Sequence, residues 1–303
     1  MSTIRNPVEW SAERLVEGTQ WIGAVARTAR GEDQADTRPV IVHRITTSDL
    51  RMALTRGLDD LTAMRSDVVA LCLMYPLVGA VLAMAAFDYA LLPLLFPLAA
   101  GFALVGPFFA VGLYELSRRR ELGLQGGWRH ALDVLVSPSF GAILVLGAGL
   151  IARFVVWLVF AQILKDLTLG RDAPSSTEAF LTAVFTEPGG TALIVLGIGT
   201  GGLFALAALA AAAVSFPLML DRAVGLRAAV TASLTLFMHN PGTMLRWGAV
   251  VAGLLVVGSL PAFLGLIIVM PLLGHATWHL YRRAISDGEE DREDAADPVA
   301  TVQ

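Results

Sequence analysis

The feature that most constrains this chain is a series of apolar runs between Val68 and Arg283, each about as long as a bilayer is thick. A helix rises ~1.5 Å per residue, so ~20 apolar residues cross a hydrocarbon core. Runs of that kind fall at roughly 68–87, 91–116, 140–164, 192–220, 244–260 and 262–283. The last two together are too long for one helix, and Gly258-Ser259-Leu260-Pro261 supplies a turn between them. Composition agrees, with 55% hydrophobic residues, 16% charged residues and a mean hydropathy of +0.66. Soluble, disordered and collagen-like chains are excluded. A disulfide scaffold is excluded as well, because the single cysteine, Cys72, lies inside the first run. The sequence predicts an all-α polytopic membrane bundle of about six transmembrane helices, with the lipid bilayer as its surroundings.

Charge placement predicts the orientation. Of the 22 basic residues, 19 fall on one side of the six-span arrangement and only Lys165 and Arg171 on the other, while Arg153 lies within a span. By the positive-inside rule the richer side is cytoplasmic. Both termini are then cytoplasmic, and a bacterial inner membrane is the expected location. A net charge of −4 gives no sign of a nucleic-acid partner.

Three regions are expected. Residues 1–47 form a cytoplasmic amphipathic segment and linker, with Val8, Ala12, Leu15, Ile22 and Ala26 on one helical face. Residues 48–285 form the membrane domain, and 286–303 an acidic tail without fixed structure. A second amphipathic helix is expected from an N-cap at Ser48, with Leu50, Leu54, Leu58 and Leu61 along one side.

The membrane domain repeats itself. Residues 50–58 (LRMALTRGL) recur at 226–234 (LRAAVTASL), with a weaker copy at 128–132 (WRHAL). Each copy precedes a pair of spans, and the returning span of each pair carries a proline: Pro107, Pro217 and Pro271. Arg118-Arg119 stand at the same distance from Pro107 as Arg282-Arg283 from Pro271. The unit is an amphipathic cytoplasmic helix, an outgoing span and a returning span kinked at proline. Three copies make parallel-repeat hairpins about an axis along the membrane normal.

The stretches 101–119 (GFALVGPFFAVGLYELSRR) and 271–283 (PLLGHATWHLYRR), with Leu220-Asp221-Arg222 and Asn240-Pro241-Gly242, resemble a bacterial family of uncharacterised integral membrane proteins, a domain of unknown function. Some of its members are labelled cytochrome c oxidase subunit I. The resemblance covers about residues 45–285 and implies a six-span inner-membrane protein. It implies no activity, substrate or cofactor. Haem–copper oxidase subunits use a twelve-helix bundle and six histidine ligands. This chain has five histidines, of which only His275 and His279 lie in a span, so that ligand set is missing.

Few residues carry candidate chemistry. His275 and His279 share a helix face and could offer two imidazoles to a metal, although two ligands do not make a site. Their bland reading is interfacial hydrogen bonding beside Trp278 and Tyr281. Arg153, deep in the third span, should face the bundle interior. The carbonyls freed by the three prolines, at Ala103, Ala213 and Ile267, are its expected partners. Glu115 and Asp221 close the second and fourth spans and are expected to pair locally with Arg118 and Arg222, with proton relay the sharper alternative. Gly197, Gly199, Gly201 and Gly202 should permit close helix packing. No nucleophile–base pattern stands out, and no cofactor is expected. The sequence is read first as a non-enzymatic scaffold or assembly factor, with other membrane proteins or respiratory complexes as partners. The second reading is a small-solute transporter or permease, and the third a haem- or copper-associated respiratory protein.

Overall fold

The computed structural model describes residues 38–63, 94–124, 127–172, 176–261 and 263–288, together with 23, 25–28 and 36. The expected first span at 68–87, Cys72, most of the N-terminal amphipathic segment and nearly all of the acidic tail lie outside these residues.

The described chain is helical apart from one short ladder. Strand β1 (Ile41–Val42) leads into α1 (Thr47–Ala63), and α2 (Leu95–Phe109) is followed by α3 (Val111–Glu121). A 3₁₀ segment (Trp128–Val136) precedes α4 (Phe140–Leu169), α5 (Thr177–Thr186) and α6 (Pro188–Ala212). The chain ends with α7 (Ser215–Arg222), α8 (Leu226–His239), α9 (Pro241–Ser259), α10 (Leu266–Ala284) and β2 (Ile285–Ser286). Among the described residues three stretches are long and apolar enough to cross a membrane: α4, α6 with α7, and α9. Helix α10 is apolar only in its first half. Its second half carries His275, His279, Arg282 and Arg283, which face other protein segments. Helix α5 is an element the sequence reading did not anticipate. Its N-cap is Ser176, whose hydroxyl accepts from the Ala179 amide at 3.0 Å.

The prolines act differently in the three returning segments. Only Ala110 separates α2 from α3, three residues after Pro107. Before Pro217 the helix breaks at Ala213 and Val214, where the proline's missing N–H leaves the Ala213 carbonyl without its helical donor. Pro271 lies inside α10, five residues from its start, and the helix continues past it.

Packing at one end follows the repeat. Helix α3 packs on the 3₁₀ segment, α7 on α8, and α10 on α1. Each returning helix therefore lies against the amphipathic helix of the next copy, and the third copy closes back onto the first. The α1–α10 pairing is the most extensive helix contact in the described chain. It is antiparallel, since Asp49 meets Arg283 while Asp60 meets His279. The ladder beside it, with Ile41 opposite Ser286 and Val42 opposite Ile285, extends the same closure.

Details of α1 differ from expectation. The helix begins at Thr47, and Thr46 is its cap. The Asp49 carboxylate accepts both the Thr46 amide, at 2.8 Å, and the Thr46 hydroxyl, at 2.7 Å, as the third residue of a capping box does. The buried face is Leu50, Ala53, Gly57, Asp60 and Leu61, while Leu58 is exposed. Close approach to α10 puts the small Ala53 and Gly57 on this face beside Leu50 and Leu61, and only Leu58 of the expected leucine stripe is turned outward. A Cβ at Gly57 would lie 2.7 Å from the Ala276 amide nitrogen. A Cβ at Gly274, on the same helix, would lie 2.6 Å from Leu113 of α3.

Candidate functional site

The densest polar constellation lies where α1, α3 and α10 meet. Asp60 points from the buried face of α1 between the other two helices. Ser117 Oγ donates to Asp60 Oδ2 at 2.6 Å and lies 2.7 Å from His275 Nδ1. His279 Nε2 is 2.9 Å from the same carboxylate oxygen, and Arg120 pairs with the other. Asp60, Ser117 and His275 are all buried, His275 completely. Burial pushes the Asp60 carboxyl up, but the bonds from His279 and Ser117 and the nearby imidazoles outweigh it and hold the carboxyl below its ordinary range. The cluster thus holds an ionised carboxylate among donors. With Ser117 donating to Asp60, His275 Nδ1–H donates to Ser117. His275 Nε2 then has no hydrogen-bond partner among the described residues.

This changes the reading of the two histidines. They face protein, and the carboxylate absent from their own sequence neighbourhood arrives from a helix more than two hundred residues earlier. Among the described residues no group of three or more histidine, cysteine or acidic side chains is arranged to hold a metal.

A second constellation ties down the segment read from sequence as a linker. Arg222, at the end of α7, donates Nε to Asp36, Nη1 to the Pro39 carbonyl at 3.1 Å and Nη2 to the Arg38 carbonyl at 3.0 Å. Asn240, between α8 and α9, accepts the Ile45 amide at 2.9 Å and donates to the His43 carbonyl at 3.1 Å. Thr243 donates to the Ile45 carbonyl. Arg38 and Arg222 hold the Asp36 carboxyl well below the usual range. At Asp49, burial raises the carboxyl, but Thr46 and Arg283 reverse the shift and leave it lowered.

Glu115 and Asp221 behave differently from each other. Glu115 pairs with Arg118 at 3.3 Å, as its spacing suggests. Asp221 does not pair with Arg222, whose guanidinium is turned to the 36–39 segment. Asp221 instead accepts the Tyr281 hydroxyl at 2.7 Å and receives Arg118 and Arg282 at 3.4 and 3.6 Å. Those two arginines occupy equivalent positions after Pro107 and Pro271, so the first and third copies meet on the carboxylate of the second. Arg119 reaches Asp133 of the 3₁₀ segment and Arg283 reaches Asp49 of α1. Asp36, Asp60 and Asn240 as anchors were missed. The only sequence signal was an acidic residue within an otherwise packed helical face, at Asp60.

Arg153 donates Nε to the Phe204 carbonyl of α6 at 3.1 Å, and its guanidinium lies 5.3 Å from the Phe204 ring centroid. Its acceptor is thus a carbonyl inside a regular helix, and not one of those at Ala103, Ala213 or Ile267. Of Gly197, Gly199, Gly201 and Gly202 in α6, only Gly201 is closely packed, with Trp157 3.1 Å from a Cβ placed there. Such a Cβ would meet nothing within 4 Å at Gly199 or Gly202 and only Leu164, at 3.9 Å, at Gly197. Within this run α4 meets α6 through a tryptophan at Gly201, and at the start of α6 a Cβ on Gly189 would run into the Thr168 carbonyl oxygen of α4.

Residues 95–221 match the family described as "Predicted integral membrane protein (DUF2189)". The match agrees with the resemblance to an uncharacterised membrane-protein family and runs from α2 to the end of α7. No curated protein and no solved structure matches the chain. The chain is an integral membrane protein with an all-α fold.

Proposed function

We propose that this protein is a non-enzymatic scaffold or accessory factor of the bacterial inner membrane, with both termini in the cytoplasm and other membrane proteins as its partners. The observation that carries the reading is how the buried polar residues are used. Asp60, Ser117, Arg222 and Asn240 each hold one part of the chain to another. Fixing such groups rigidifies a structure, which suits a platform more than a reaction centre. The exposed apolar side chains Leu122, Leu124, Trp128, Leu132 and Val136, beside this polar hub, give the platform a face for a partner.

The test is cross-linking in cells followed by purification in mild detergent, comparing wild type with Trp128→Glu and Leu132→Glu. A second membrane protein in fixed ratio, lost in both variants, is the expected result. A protein that purifies alone at the mass of one chain, and is unchanged by the variants, would overturn the reading.

The interrupted returning helices at Ala110 and Val214 favour a small-solute transporter as the second reading, because transporters place irregular backbone at their binding sites. Solute uptake into liposomes containing the purified protein distinguishes the two.

A further inference from the structure

A cavity of about 400 Å³ lies between α2, α6, α9 and α10, within the size range of small-molecule sites. Its deep wall is built from buried residues, among them Trp247, Met270 and Gly274. Its rim includes Gly202 of α6 and Ala249 of α9, both exposed. Both helices are among those able to cross a membrane, so the mouth opens sideways toward lipid.

Among the described residues the lining carries no charged side chain. Its hydroxyls are those of Tyr114 and Thr277, which bond to each other, and Thr277 also donates to the Leu273 carbonyl at 2.7 Å. A buried water needs two to four polar partners, and these groups are already used. Polar solutes have nothing to replace their hydration. Protein interiors are close-packed, and an empty dry space of this size would sacrifice contact on every wall. A hydrocarbon chain meets each of these conditions and is the solvent at the mouth.

We propose that this cavity binds a hydrocarbon chain from the bilayer, an acyl chain of a membrane phospholipid that enters between α6 and α9. The inference is independent of the scaffold reading. Two glycines supply the means to test it. A Cβ at Gly106 or at Gly202 meets no atom within 4 Å, so a larger side chain at either position grows into the cavity without displacing protein.

The full chain is reconstituted in phosphatidylethanolamine–phosphatidylglycerol vesicles containing a phospholipid with a diazirine near its acyl terminus. A parallel arm uses a diazirine-bearing polyisoprenoid. After illumination the labelled residues are read by mass spectrometry. The phospholipid is expected to label Trp247 and the peptide containing Met270 and Thr277. Gly106→Leu and Gly202→Leu should each reduce that label several-fold while labelling of Val155 and Val159, on the exposed face of α4, stays unchanged. That unchanged outer label reports an intact fold. Phospholipid label confined to outer faces, inner label indifferent to both variants, or inner label from the polyisoprenoid alone would overturn the proposal. So would a cross-link from the cavity wall to residues 68–87, which would show the chain filling its own cavity.

Discussion

Gly57 of α1 and Ala276 of α10 approach so closely that a Cβ on the glycine would lie 2.7 Å from the alanine's backbone nitrogen. Backbone cannot yield as a flexible side chain can, so the two helices would have to separate. Alanine gains ~1 kcal/mol of helix propensity over glycine, whereas overpacking a close contact costs ~1–3 kcal/mol. Gly57→Ala is therefore expected to lower the melting temperature in detergent despite its better propensity. Gly199→Ala, where a Cβ meets nothing within 4 Å, should be neutral or stabilising in the same assay.

The attachment of α1 and its preceding strand should fail in acid. Asp36, Asp49 and Asp60 all have lowered carboxyl pKa values in the folded chain. The unfolded value is ~3.9. A group depressed on folding contributes stability that is fully present above the unfolded value and is lost as pH falls through the folded one. The arm should thus remain docked at neutral pH and release progressively below about pH 4. Limited proteolysis at Arg44 and Arg51 by an acid-active protease, compared with the same assay at intermediate pH, reads the release. Asp60→Asn should weaken docking already at neutral pH, since an amide is a poorer acceptor for Ser117, His279 and Arg120.

The all-helical character of the described apolar runs, the helix breaks near Pro107 and Pro217 and the amphipathic character of residues 50–61 were legible because each is a local periodicity or a local absence of an N–H. The partner of His279 was not. Nothing near residue 279 marks Asp60, and only the closure of the third copy onto the first brings them together. Asp221 shows the same limit. Sequence adjacency favoured Arg222, but geometry gives Asp221 to Arg118, Arg282 and Tyr281, freeing Arg222 for the Pro39 and Arg38 carbonyls. Local pairing rules rank neighbours on one helix, and at the meeting point of three helices the neighbours on other helices are closer.

The arginines gather at one end of the bundle, which supports the proposed orientation. Helix α3 packs on the 3₁₀ segment, α7 on α8 and α10 on α1, and Arg118, Arg119, Arg120, Arg222, Arg282 and Arg283 lie at the ends of α3, α7 and α10. Lys165 and Arg171 belong to the far end of α4. Reporter fusions should give a cytoplasmic signal after Gly288 and a periplasmic signal after Asp172. The same signal at both positions would mean that an even number of crossings joins them, in place of the expected three, and the positive-inside assignment would fail.

Arg153 provides the sharpest energetic test. Had it satisfied a carbonyl freed by proline, its removal would strand an unpaired group in hydrocarbon, at ~1–3 kcal/mol. Its acceptor at Phe204 lies inside α6, where the carbonyl already serves the regular helical ladder. Arg153→Leu therefore removes a secondary hydrogen bond and a cation–π contact of ~0.5–2 kcal/mol, and leaves no orphan behind. Against that, arginine at the centre of a span costs ~2.5–3.5 kcal/mol on insertion scales, which leucine avoids. The two effects oppose each other, and the larger one favours leucine. Arg153→Leu is expected to match or exceed wild-type thermal stability in lipid nanodiscs, and Phe204→Leu, which keeps the carbonyl and removes the ring, to lose only the ring's share. A marked fall in melting temperature for Arg153→Leu would show that the guanidinium satisfies more of the bundle than the single Phe204 carbonyl.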